Sequence, residues 1–184
     1  MPSTDQIKEF VIAGHGNITK VKSMLEADPE LLEFKHPWSE TDFESALQAA
    51  SHVGNAAIAL YLLEKGATLE ITTSAMLGDL PAIKKFLDSD SSLIQATGGH
   101  GISLLTHGVI SGDPGIVDFL TSQGANSGAS MALNIAIEVD DLEIIKMLLE
   151  RTEPDLTWKN MKGKTALEIA RENNQDAIVA LLER

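Results

Sequence analysis

Four dipeptides, each a glycine followed by Asn or Asp, decide the fold of this chain: Gly16-Asn17, Gly54-Asn55, Gly78-Asp79 and Gly112-Asp113. Each stands a few residues before a run of Val, Ile or Leu. Glycine readily adopts the left-handed conformation that ends a helix, and the Asn or Asp side chain accepts a hydrogen bond from the free amides of the next helix. The pattern therefore predicts repeated units of helix, tight turn and helix.

Two weaker copies, Asp140-Asp141 and Asn174-Gln175, extend the series, so that six units fill the chain. One helix pair cannot bury its apolar side, so contacts between neighbouring repeats must supply the stability, with the first and last repeats as caps. We expect one elongated domain with no room for a separate catalytic domain. The predicted repeats span residues 4–32, 44–66, 70–90, 103–125, 129–151 and 165–184.

The composition agrees with many small helical layers. Of the 184 residues, 43% are hydrophobic and only 4% are aromatic. Apolar residues of the second helices follow helical spacing, as in Ile58, Leu62 and Leu63. No apolar stretch is long enough for a membrane span, and the N-terminus shows no secretion segment, so we expect a cytoplasmic protein that does not bind a membrane.

Two segments carry a resemblance to a known family. The ending Leu62-Leu63-Glu64-Lys65-Gly66-Ala67 and the opening Lys164-Thr165-Ala166-Leu167 resemble ankyrin repeats, and the likeness covers nearly the whole chain. The family usually opens its first helix with Thr-Pro-Leu-His, and the matching tetrapeptides here share only the leucine. They begin at Ser45, Ser103, Met131 and Thr165. The resemblance implies an all-α ankyrin-repeat solenoid.

The spacing of the turns adds a second prediction, because long and short steps alternate. The turn position advances by 38, 24, 34, 28 and 34 residues, which indicates a double repeat. A short step leaves too few residues for the hairpin, or finger, that projects between ankyrin repeats. We therefore predict finger one at residues 33–44, finger two at 93–102 and finger three at 155–164, with fingerless junctions near 68–73 and 126–130. With helical layers roughly 10 Å apart, neighbouring fingers would stand about 20 Å apart.

The resemblance also implies that the chain binds another protein through a concave groove formed by the fingers and the last residues of each first helix. The residues at these late positions, which we select as partner-binding candidates, are His52, Val53, Met76, Leu77, Ile110, Glu138 and Val139. Five of the seven are apolar, and an exposed apolar stripe usually marks a contact site. The alternative is that Met76 and Leu77 pack between neighbouring repeats as core.

Three finger residues complete the candidate set. Trp38 and Trp158 are the only tryptophans, and Trp is enriched among residues that carry interface energy. Each indole alternatively lies on the base of its own finger. Lys162 belongs to a basic cluster in finger three that would either contact an acidic patch of a partner or simply form a solvated loop.

The sequence contains no convincing enzymatic or metal-binding motif. The five histidines are not paired at the three- or four-residue spacing of a helical metal site, and cysteine is absent. His15 and His52 occupy equivalent groove positions and are expected to approach each other in a hydrogen-bonding role. The sequence therefore predicts a non-enzymatic protein with no catalytic residue, no cofactor and no metal.

Charge limits the partner. The chain has 14 Lys and Arg against 27 Asp and Glu, a formal charge of -13, so nucleic acid is a poor partner. We predict a monomeric protein-protein interaction module that presents its groove to another protein. The alternative is a regulatory or inhibitory subunit that covers the active site of a basic enzyme, with the acidic surface steering association.

Overall fold

The computed structural model describes residues 1–183, and twelve α-helices within them confirm the all-α prediction. The helices form six consecutive pairs. The first helices of the pairs are α1 (Thr4–Gly14), α3 (Ala46–His52), α5 (Ile71–Met76), α7 (Leu104–Ile110), α9 (Ala129–Glu138) and α11 (Ala166–Glu172). The second helices are α2 (Ile18–Ala27), α4 (Ala56–Glu64), α6 (Leu80–Ser89), α8 (Pro114–Ser122), α10 (Leu142–Arg151) and α12 (Asp176–Leu182). None of these helices combines the length and the apolar character that a bilayer crossing requires.

The first helices stack against one another in chain order, from α1 to α11, and form a continuous row. Each second helix packs on its own first helix and buries one apolar side, as α4 does with Ile58, Ala59 and Leu62. A capping box formed by Ser3 and Gln6 opens α1. Stability thus comes from contacts between layers, as expected for a stacked repeat.

The predicted left-handed conformation is confirmed for most of the glycines at the tight turns. Gly54, Gly78 and Gly112 have φ angles of 70°, 72° and 68°, in the left-handed region. Asp140 and Asn174, which replace glycine in the weaker copies, adopt the same conformation with φ of 59° and 56°. Asp and Asn tolerate this region better than other residues with side chains, which explains why the copies remain functional turns.

Gly16 is the exception, and the prediction of a left-handed glycine there is wrong. Asn17 donates its backbone N–H to the Ala13 carbonyl, four residues back, at 2.8 Å. The equivalent Asn55 instead donates to Ala50, five residues back, a pattern that needs a left-handed residue. The turn after α1 therefore stays close to helical geometry, and Asn17 still caps α2 through its side chain.

Fingers occur at alternate junctions, as predicted. Finger one is a hairpin of β1 (Lys35–Pro37) and β2 (Phe43–Ser45), paired antiparallel with His36 opposite Glu44. Finger two is narrower, with a single bridge between Thr97 and Ser103, and finger three closes through an Asn160 N–H to Lys164 carbonyl bond of 2.9 Å. The junctions before α5 and α9 contain no strand in the described chain.

The predicted separation of about 20 Å is wrong for fingers one and two, because they touch. The His100 backbone N–H donates to Asp42 Oδ1 at 3.1 Å, and His100 Nδ1 lies 2.7 Å from Asp42 Oδ2. The junction before α5, which lies between fingers one and two, has no finger, so finger two reaches finger one. Gly99 permits this approach, since a Cβ there would lie 3.0 Å from Glu44 Oε1.

Candidate functional site

One face of the molecule combines the fingers with the C-terminal ends of the first helices, and we call it the groove face. The two features are in contact at both ends of the stack. Lys162 of finger three lies 3.7 Å from Glu138 at the end of α9. His52 at the end of α3 lies 3.0 Å from Glu44 of finger one. At these two places the fingers and the ends of the first helices therefore form one surface.

Four predicted apolar residues remain accessible on this face, and we call them the apolar stripe: Val53, Leu77, Ile110 and Val139. Val53 is 45% exposed and Val139 is 65% exposed, whereas Leu77 and Ile110 are half-buried. A Cβ on Gly54 would lie 3.0 Å from Ile110 Cγ2, so the middle of the stripe adjoins the end of α3.

Met76 does not belong to this surface, and its prediction as an exposed anchor is wrong. Its side chain is 4% exposed and lies in the hydrophobic core formed with α1, α3 and α4. The reason is that α5 is short and packs between α3 and α7, so that all six of its residues are buried. The alternative that Met76 and Leu77 pack as core is confirmed for Met76, and Leu77 is half-buried against the same core.

The two tryptophans have different surroundings. Trp38 donates its indole N–H to Glu44 Oε2 at 2.8 Å and packs its ring against the edge of His36. It therefore orders finger one while its ring stays partly exposed. Trp158 is half-buried and lines a shallow depression of about 340 Å³ between fingers two and three, together with Ser130 and Asp155.

The basic cluster of finger three is paired within the chain. Besides the contact between Lys162 and Glu138, Lys164 forms an ion pair with Glu172 near the end of α11. Both pairs are solvent-exposed, and such pairs contribute little to stability. The lysines are therefore available for exchange with charged groups of a partner.

A cluster of histidines and carboxylates lies at the other end of the groove face. It combines His15 after α1, Glu44 of finger one, His52 of α3 and His100 of finger two, each offering a ligand atom within 4.8 Å of the others. The ring centroids of His15 and His52 are 4.9 Å apart, as the equivalent positions predicted. We call these four residues the histidine cluster.

Glu44 is the centre of the cluster and is fully buried. Burial alone would raise the pKa of its carboxyl group, but the close contact with His52, the hydrogen bond from Trp38 and the nearby imidazole of His100 outweigh burial, so the pKa lies below its usual value. The hydrogen bond from His100 likewise lowers the pKa of Asp42. Both carboxylates are consequently ionised near neutral pH.

Sequence reasoning missed this cluster for a specific reason. A helical metal site needs two histidines on one helix, whereas these four residues come from three layers and are 8 to 85 positions apart along the chain. Only the contact between fingers one and two brings His100 to Glu44. The alternating step length was the available signal, because a fingerless layer leaves room for neighbouring fingers to meet.

Comparison with known families agrees with this architecture. The fold is a helical-repeat stack with alternate fingers, and the family model described as "Ankyrin repeats (3 copies)" matches residues 105–184. That span holds the last three helix pairs, α7 to α12. The C-terminal part of the chain, from α7 to α12, therefore matches the ankyrin-repeat family. No curated protein matches the sequence. Ankyrin repeats are generally protein-protein interaction modules and are typically non-enzymatic.

Proposed function

We propose that this chain binds another protein through the groove face, with the apolar stripe as the anchor for aliphatic side chains of the partner. The observation that carries the proposal is the exposure of Val53 and Val139 at 45% and 65%. Both follow directly after a first helix and share the same backbone conformation, with φ of -98° and ψ of 4°. A stack that needed these positions only for packing would bury them.

The charge around the stripe defines the expected partner further. Asp79, Asp113 and Asp140 are exposed, and each lies within three residues after a stripe residue. With a formal charge of -13 on the whole chain, the stripe is an apolar surface in an acidic setting. We therefore expect a partner segment in which aliphatic residues are flanked by Lys or Arg.

The test introduces positive charge into the stripe and uses a matched control. Val53→Arg/Val139→Arg places two long cations on the groove face, whereas Leu60→Arg introduces the same chemistry on α4, where Leu60 is 56% exposed. All three proteins serve as bait in lysate of the source organism, and retained proteins are identified by mass spectrometry. Circular dichroism and melting temperature establish that the variants fold.

A protein that is retained by the wild type and Leu60→Arg, but lost from the folded stripe variant, supports binding at the groove face. Equal retention by all three baits contradicts it. With the partner identified, the salt dependence of the association rate separates the two candidate roles. The charge of -13 favours the role of an inhibitor of a basic enzyme, and such an inhibitor would associate much more slowly in high salt than in low salt. The association rate of an apolar scaffold contact would change little with salt.

A further inference from the structure

We propose that the histidine cluster binds one divalent transition-metal ion of the zinc type, with His15 Nε2, His52 Nδ1, His100 Nε2 and one oxygen of Glu44 as ligands. The proposal is independent of the protein-binding function. It rests on the distances between these atoms, on the partners of the remaining polar atoms, and on two buried atoms that lack hydrogen bonds.

The distances suit a tetrahedral ion. Bonds of about 2.0–2.1 Å from Zn²⁺ place neighbouring ligand atoms about 3.3 Å apart. His52 Nδ1 lies 3.0 Å from Glu44 Oε1, and His15 Nε2 lies 3.9 Å from the same oxygen. His100 Nε2 lies 3.3 Å from Glu44 Oε2. Small rotations of exposed imidazoles bring the widest pairs, which are within 4.8 Å, to ligand separation.

Outer hydrogen bonds fix which nitrogen of two imidazoles faces the centre. His15 Nδ1 lies 3.2 Å from the Val11 carbonyl oxygen, which can only accept, so Nδ1 carries the proton and Nε2 keeps its lone pair. His100 Nδ1 in the same way faces the ionised Asp42 at 2.7 Å. Carbonyl or carboxylate partners on the outer nitrogen are the usual arrangement around metal-bound histidine.

A hydrogen bond on its outer side also orients Glu44. Trp38 donates to Oε2, which leaves Oε1 directed toward His15 and His52. Gly99 of finger two packs directly against this carboxylate, because a Cβ on Gly99 would lie only 3.0 Å from Glu44 Oε1. The chain therefore encloses a carboxylate in a fixed orientation.

Within residues 1–183, two atoms at the centre have no hydrogen-bond partner. Glu44 Oε1 and His52 Nδ1 are both buried, and although they are 3.0 Å apart they make no hydrogen bond. An unsatisfied buried carboxylate oxygen is costly, and native proteins rarely leave one without a partner or a cation. A metal ion between the two atoms satisfies both of them at once.

The donor set defines the class of ion and its role. Three imidazoles with one carboxylate favour Zn²⁺ and similar transition metals, whereas Ca²⁺ and Mg²⁺ prefer oxygen ligands alone. Four protein ligands complete a tetrahedral site, which is the arrangement of structural zinc. Such an ion would join the ends of α1 and α3 to fingers one and two. His15 and His100 keep about a third of their side chains exposed, which leaves a route for the ion.

The test measures metal binding by the full chain after treatment with a chelator and removal of the chelator. Zn²⁺ binding is followed by isothermal titration calorimetry and by melting temperature, and Co²⁺ serves as a spectroscopic probe of tetrahedral coordination. The ligand variant is His15→Ala/His100→Ala. The matched control is His36→Gln, because His36 packs against Trp38 but supplies no atom to the cluster.

We expect one ion per chain and, at a free Zn²⁺ concentration of 100 times the Kd, a melting temperature raised by about 5–10 °C. His36→Gln keeps the binding, His15→Ala/His100→Ala loses it, and Asp42→Asn weakens it about 10- to 100-fold through the outer hydrogen bond of His100. If the folded wild type binds neither Zn²⁺ nor Co²⁺ stoichiometrically, the proposal is wrong, whatever the variants do. Equal binding by the ligand variant also overturns it.

Discussion

His107 should make this protein sensitive to acid in a defined pH range. It lies in α7 and is fully buried. Its Nδ1 donates to the Ser103 carbonyl at 2.8 Å, and its Nε2 has no hydrogen-bond partner in the described part of the chain. Burial lowers the pKa of His107 to about 4, with a smaller contribution from the nearby His52, and the bond to Ser103 opposes the shift only in part.

The sign and size of the effect follow from this shift. In the unfolded chain His107 has an ordinary pKa of 6.5, so between pH 6.5 and about 4 the unfolded state binds a proton that the folded state does not. The free energy of unfolding therefore falls as the pH falls through that window. At 1.36 kcal/mol per pKa unit, the loss attributable to His107 is about 3 kcal/mol.

The assay compares urea unfolding of the wild type and His107→Asn from pH 7.5 to pH 4. Asn keeps an N–H near the position of Nδ1 and has no ionisable group. A chelator in both samples keeps the histidine cluster metal-free, so that metal binding does not differ between the two proteins. We expect the stability advantage of the wild type at pH 7 to shrink by about 3 kcal/mol at pH 4. Parallel stability curves would refute the reasoning.

Two glycine predictions and one asparagine prediction follow from the backbone. Gly14→Ala would place a Cβ 2.6 Å from the Ala46 carbonyl oxygen, a backbone atom that cannot rotate aside, so we expect a loss of about 1–3 kcal/mol in urea unfolding. Gly16→Ala, with no atom within 4 Å of the new Cβ and no positive φ, should change stability by less than about 0.5 kcal/mol. Asn174→Gly relieves a left-handed φ of 56° and should raise the melting temperature by about 2–4 °C. A lower melting temperature would show that the Asn side chain stabilises this turn.

The repeat pattern predicted much of the fold because each turn is a local event. A left-handed glycine such as Gly54 and a capping Asn such as Asn55 act within a few residues, so their effect can be read from short sequence. Asp140 and Asn174 were also recognisable, because Asp and Asn tolerate the same conformation. Gly16 misled this reasoning, since its turn closes with a helical hydrogen bond that composition does not reveal.

Which site residues are exposed depends on how neighbouring layers pack, and short sequence patterns carry no information about that packing. Val53 and Val139 are exposed, as predicted, because each directly follows the last residue of a first helix. Met76 was not, because burial of α5 depends on how closely α3 and α7 approach across a fingerless layer. The contact of His100 with Glu44 arises from the same closure, and 56 residues separate the two along the chain.

Hydrogen exchange of the chain with its captured partner tests the groove face most directly. Amide exchange is measured by mass spectrometry with and without the partner at saturating concentration. The account predicts slower exchange in the segments around Val53 and Val139, at the ends of α3 and α9, with α4 and α10 unchanged. Protection confined to α4 and α10, with the ends of α3 and α9 unaffected, would contradict binding through the groove face.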